Sequence, residues 1–239
     1  MNTNKDIASN HNFGCMVCGS KLYYSTDVKV RINCFYCGRE EVVNVFCIEG
    51  HYVCDECHRK DILEIVKQIC IDSNSVDPVK IALEIFDSKY LHMHGPEYHS
   101  IVPAILVAAY GNLMNKKDPA LIEEAIVRGK AVPGGACGFY GACGAGVGVG
   151  IAYSIIKKIT PYSEKDRSDV NKMTANALLD ISQYVGPRCC KRESILAIQS
   201  AKRDFGFPSS CQENRYICTQ FTDNNMCIYG GCPFYPNKD

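Results

Sequence analysis

The chain has 239 residues, of which 46% are apolar and 22% charged, with a formal net charge of zero. That length and balance suit a folded chain of one or two domains. Neutrality removes the broad positive field that drives non-specific nucleic-acid binding. The outlying number is sixteen cysteines.

Taken from the N-terminus, residues 1–14 are polar and lack the apolar stretch and small-residue cleavage site of a signal peptide. No later run of eighteen apolar residues marks a membrane span. The expectation is a cytoplasmic protein with reduced thiols and no membrane contact, in which clustered cysteines read as metal ligands. Residues 15–58 hold seven cysteines. Cys15-x-x-Cys18 and Cys34-x-x-Cys37 are fifteen residues apart, the double-knuckle spacing of a zinc ribbon. Cys47, His51, Cys54 and Cys57 follow as a second ligand set, and Gly19, Gly38 and Gly50 stand where knuckle turns need left-handed backbone. Eight ligands make two zinc sites, paired either in sequence or crossed. The Cys47–Cys57 stretch is similar to the centre of RING fingers, which keeps crossing open beside the sequential pairing, although the full RING order is absent. His58 is read as a surface residue or an alternate ligand. Short strands are expected at Val28–Ile32 and Glu41–Phe46. The module serves as a zinc-folded head, or presents Lys29, Arg31, Tyr36 and Arg39 to RNA or a protein.

From residue 60 the periodicity is helical. Asp61 is expected to cap a helix bearing Ile62, Ile65, Val66 and Ile69, with Cys70 in the core. Asp77-Pro78 starts a second helix, and others are predicted at about 101–114, 119–129, 145–159, 168–184 and 191–204. The predicted fold is an N-terminal double-zinc ribbon or finger (1–59), an all-helical domain (60–204), and an irregular cysteine-rich segment (205–239) packed on it and tied down by metal.

Four features inside this frame carry chemistry. His92, His94, Glu97 and His99 surround a Gly95-Pro96 turn, and can form a metal site or acid/base pair, or a solvated polar helix start. Eight glycines fall in the seventeen residues Gly134–Gly150, beside Cys137 and Cys143. They suit an anionic guest at a helix start or close helix packing, and no nucleotide-loop register is present. Cys189-Cys190 opens an apolar-periodic helix among Arg188, Lys191 and Arg192. That setting is expected to lower the thiol pKa and give a reactive or ligating thiolate. Cys211, Cys218, Cys227 and Cys232, with Pro233 behind, read as ligands of an iron–sulfur cluster, with a third zinc as the alternative.

The run from His94-Gly-Pro-Glu97 through Gly134-Gly-Ala-Cys137-Gly and Gly186-Pro-Arg-Cys-Cys-Lys-Arg192 to the cysteine tail resembles a domain family of unknown function from anaerobic bacteria and archaea. Members sometimes occur joined to methyltransferase domains, which implies a methyltransferase partner. More distantly, Gly135-Ala-Cys137 and Arg188-Cys-Cys-Lys-Arg-Glu-Ser194 are similar to the cluster-binding half of iron–sulfur L-serine dehydratases and cysteine desulfidases. This resemblance implies a [4Fe–4S] cluster with one open iron acting as a Lewis acid on a small-molecule substrate. Glu193 stands where that pattern has Asn, the cysteines are doubled, and the tail is additional. The expected function is an iron–sulfur lyase or desulfidase of anaerobic metabolism. Cys189, Cys190, His94, Glu97 and His99 would be its catalytic residues, and Cys137, Cys143 and the four tail cysteines its cofactor-binding residues. The alternative is a non-catalytic zinc adaptor or RNA/tRNA-binding accessory protein.

Overall fold

The computed structural model describes residues 14–88, 90–208 and 216–236. The N-terminal part holds four short strands in two antiparallel pairs. β1 (Leu22–Tyr24) pairs with β4 (Val45–Cys47), with Leu22 opposite Cys47. β2 (Val30–Asn33) pairs with β3 (Glu40–Val43), with Val30 opposite Val43. The expected strand Glu41–Phe46 is therefore two strands with different partners. They break at Asn44, whose carbonyl accepts the Ser25 amide at 2.8 Å. Gly19, Gly38 and Gly50 all have φ between 72° and 82°, the left-handed backbone that closes each knuckle.

Eight helices follow among the described residues: α1 (Asp55–Asp72), α2 (Pro78–Phe86), α3 (Tyr98–Leu113), α4 (Pro119–Lys130), α5 (Ala136–Phe139), α6 (Gly144–Ile156), α7 (Glu164–Ser182) and α8 (Cys190–Asp204). The first helix starts six residues before its expected cap, so Asp61 lies inside it. Asp55 and Glu56 in the first turn suit the positive end of the helix dipole, and Cys54 takes the capping position. α2 starts as the sequence indicates, with the Asp77 side chain accepting from the Val79 amide at 3.1 Å and Pro78 at the first helical position.

α3 is the centre of the fold. Every residue from Tyr98 to Ala109 is buried, as expected of a helix that is apolar all round. α1, α2, α4, α6 and α8 pack around it. The glycines of α6 permit this packing: a Cβ at Gly148 would come 2.8 Å from Pro103 Cδ of α3, and one at Gly146 would come 2.7 Å from Leu178 Cδ2 of α7. Helix packing, rather than an anionic guest, accounts for these two glycines. The chain after α8 has little regular structure beyond single 3-10 turns at Phe221–Asp223 and Tyr229–Gly231. It is anchored by Tyr216, whose ring meets Phe86 at 6.2 Å and Phe234 at 5.2 Å between centroids. None of the helices is long and apolar enough to cross a membrane, among the described residues.

Candidate functional site

Two groups of ligand atoms sit in the strand module, each within 4.8 Å of one another: Cys15, Cys18, Cys47 and His51, and Cys34, Cys37, Cys54 and Cys57. The pairing is crossed. β1 runs from the first knuckle alongside β4, whose last residue is Cys47, while the β2–β3 hairpin brings the second knuckle to the start of α1. Each group can hold a metal ion. Backbone amides prepare the sulfurs: Cys54 N donates to Cys34 Sγ and Glu49 N to Cys47 Sγ, both at 3.3 Å. Ser20 brings Cys18 down to about 6. Burial opposes ionisation of Cys34, but the amides of Cys54, Cys37 and Tyr36 outweigh it and bring that thiol to about 6 as well. Burial, then the thiols of Cys54, Cys37 and Cys34, push Cys57 up to about 12. Four like groups crowd one point, a conflict that a cation resolves.

Between this module and the helices lies a cavity of about 940 Å³, in the size range of small-molecule sites. Its walls take His92, His94 and His99 from around the start of α3, Cys137 and Cys143 from the glycine-rich stretch, and Arg188, Cys190 and Glu193 from around the start of α8. Arg188 spans the gap, donating to the Tyr24 hydroxyl at 2.8 Å with its guanidinium over that ring. Cys143 Sγ–H donates to Glu193 Oε2 at 3.2 Å, and Glu193 Oε1 accepts the Cys189 amide at 3.1 Å. One carboxylate thus caps α8 and holds a chamber thiol.

Of the expected acid/base residues, His94 and His99 line the cavity, and Glu97 is fully buried behind its wall. Burial, then the Arg188 charge, brings His94 down to about 4, and burial likewise lowers His99, whose Nδ1–H donates to the Val132 carbonyl at 3.0 Å. Both shifts favour the neutral imidazole. Burial of Glu97 works to raise its pKa, yet His58 and His92 beside it hold it well below the usual carboxylate range. His58, expected at the surface, lines the cavity and forms with His92 and Glu97 a third cluster of ligand atoms within 4.8 Å.

Cys189 and Cys190 differ from the sequence expectation in two ways. They face different cavities, and their thiols are raised rather than lowered. Burial pushes Cys189 up to about 11, despite the amide and charge of Arg192, and pushes Cys190 well above its ordinary value, despite Arg188. Lys191 gives no help to Cys190, because its ammonium is turned to the Phe86 carbonyl at 3.3 Å.

Cys189 instead lines a second, smaller cavity with Cys218, Cys227 and Cys232. These sulfurs are not drawn together to the 4.8 Å that marks the module groups. Lys191 and Arg192, 1% and 4% exposed, line the same cavity. Arg192 approaches Glu193 at 3.4 Å, whereas the contacts of Lys191 are the Phe86 carbonyl and ring. The Tyr229 amide donates to Cys227 Sγ at 3.3 Å, and Asn224 Nδ2 donates to Cys189 Sγ at 3.7 Å. Asn224 Oδ1 accepts from His94 Nε2 at 3.2 Å, so one buried amide joins the two cavities. Asn224 carries no sequence signal in a stretch without periodicity. Cys137 and Cys143 do not join this set, and Cys211 lies outside the described residues.

A family model matches residues 66–235, and its description is a family of unknown function (DUF5714). Searches of curated proteins and of solved structures found no match. The matched span starts inside α1 and takes in the chamber cysteines, the α8 start and the cysteine cavity. With most of its length matched, the chain belongs to this family of unknown function.

Proposed function

We propose that the protein is an iron–sulfur enzyme with a two-zinc head, acting on a small molecule held in the large chamber. The observation that carries this reading is the gathering of Cys189, Cys218, Cys227 and Cys232, from the start of α8 and from the tail, around one point. The space between them is about 20 Å³, and the sulfurs would have to move apart to admit a cluster. A four-iron cluster holds its thiolates further apart than a single ion does, and it is anionic. Four cysteines lining one cavity, and a buried Lys191 ammonium with no carboxylate in hydrogen-bond or ion-pair contact among the described residues, fit such a guest. Amide donors to Cys189 and Cys227 are of the kind that tune a cluster's potential. The two ligand groups of the module, one of three cysteines with a histidine and one of four cysteines, suit zinc.

With four cysteines around one cluster, the open iron expected from the dehydratase resemblance is not required, and the chemistry belongs in the chamber. Three thiols (Cys137, Cys143 and Cys190), the neutral His94 and His99, and Glu193 suit elimination or sulfur transfer on a small thiol- or hydroxyl-bearing substrate. Elimination needs a base for a carbon-bound proton and a donor for the departing hydroxyl or thiol. It requires no external oxidant or reductant. The test is the visible spectrum of anaerobically purified protein. Cys218→Ala and Cys232→Ala should each bleach a broad cluster absorbance, whereas Cys137→Ala should keep it. Unchanged spectra in the first two would sink the ligand set.

The adaptor reading draws on Phe35 and Tyr36, both 57% exposed on the module. Two of the cations expected to meet RNA, Arg31 and Arg39, already pair with Glu40 and Glu41. Tight tRNA binding that is lost in Tyr36→Ala, in protein lacking iron, would favour this alternative.

A further inference from the structure

We infer that His58, His92 and Glu97 form a third, mononuclear metal site on the chamber wall, taking a divalent first-row transition metal such as ferrous iron or zinc. The inference deepens the proposed function and rests on it only for the metal's part in turnover. The two rings meet at 4.6 Å between centroids, and the Nδ1 atoms of His58 and His92 lie 3.1 and 3.7 Å from the two Glu97 oxygens. These are ion-pair distances without hydrogen-bond geometry: both Nδ1 atoms and both carboxylate oxygens are buried and lack a hydrogen-bond partner. Four buried polar atoms converging without bonding one another are what a shared cation would satisfy.

The surroundings favour a cation at a reaction site over a simple ion pair. Glu97 is fully buried, while His58 and His92 are partly exposed and line the chamber. The carboxylate stands behind and the imidazoles in front, toward the cavity. Two imidazoles with one carboxylate are the donor set of non-haem ferrous sites with open positions, and zinc accepts the same set. Gly95 adjoins the cluster, and a Cβ there would collide with Glu97 Oε2 and His58 Cε1. His58 directly follows Cys57, a ligand of the four-cysteine group, so assembly of that group positions it.

The test is a titration of full-length, zinc-loaded, anaerobic protein with Co²⁺, followed in the visible. The expected result is one further equivalent bound, with weak d–d bands and no sulfur-to-cobalt charge transfer. His92→Ala and Glu97→Gln should weaken that binding by about 100-fold or more, beyond the loss from a second-shell change. Zinc content and any cluster absorbance should stay unchanged. His92 is partly exposed, so its variant keeps the test decisive where Glu97→Gln fails to fold. No further equivalent, or thiolate-type bands with equal affinity in both variants, would overturn the site. Absence of iron alongside a normal cobalt titration would overturn the cluster and leave this site standing.

Discussion

His58 Nδ1 lies 3.1 Å from Glu97 Oε2, and through this contact the first turn of α1 meets the start of α3. Cys57, one residue earlier, belongs to the four-cysteine group of the module. One helical turn therefore serves the four-cysteine group on one side and the chamber wall on the other. Gly134 N, which donates to Asp55 Oδ2 at 2.8 Å, ties the same turn to the glycine-rich stretch. The module closes the chamber.

Removing metal from the module should open the chamber before it unfolds the helices. The strand pairs are short and carry little core, while α3 has its own apolar surroundings. Chelation should abolish hydrogen-exchange protection in β1–β4 and the first turn of α1, and leave α3 protected. Zinc should restore it. Equal loss in both regions would contradict this division.

Asp77 and Lys202 form a buried ion pair at 3.3 Å, with both side chains 5% exposed or less. Asp77→Ala should cost about 3–5 kcal/mol, because it strands a buried ammonium. It also removes the α2 cap. Combining it with Lys202→Met should recover much of the loss in urea denaturation. A double variant no better than the single would show that the cap, not the charge, dominates.

Cys70 gives a pH dependence of known sign. Burial pushes its thiol from the ordinary 9.0 up to about 12. Between those values the unfolded chain loses a proton that the folded protein keeps. Its stabilising effect is therefore complete below pH 9 and lost as pH rises toward 12. The slope is at most about 1.4 kcal/mol per pH unit. Cys70→Ala should begin less stable and lose stability less steeply over that range. Parallel slopes in the two proteins would contradict the assignment.

What the sequence revealed depended on whether the signal was local. The α2 start was legible because Asp77, Pro78, Ile81, Ala82 and Ile85 lie within one short helix. The knuckles were legible because each needs only two cysteines and a glycine. The crossed pairing was not, since the same spacings serve both arrangements and the choice is made by β1 pairing with β4. Cys189 was grouped with its neighbour Cys190, yet the fold sends them to different cavities, and its partners come from the tail. The expected low thiol pKa counted cations visible in the sequence and could not count burial. His58 was misplaced because its partners, His92 and Glu97, are remote along the chain.

Under the proposed function, Asn224 should act on the cluster through Cys189. Its Nδ2–H bonds the Cys189 sulfur, and hydrogen bonds to cluster sulfurs raise the reduction potential. Asn224→Ala should lower the midpoint in a redox titration with the cluster retained. Asn224→Asp, which lacks the amide donor, should shift it the same way. An unmoved potential in both would remove Asn224 from this role.

The most direct measurement is the iron, zinc and acid-labile sulfide content of protein purified without oxygen. The proposed function predicts two zincs for the two module groups, together with about four irons and four sulfides in the cysteine cavity. A ferrous ion in the chamber would add one iron without sulfide. Zinc alone, with neither iron nor sulfide, would contradict the central claim.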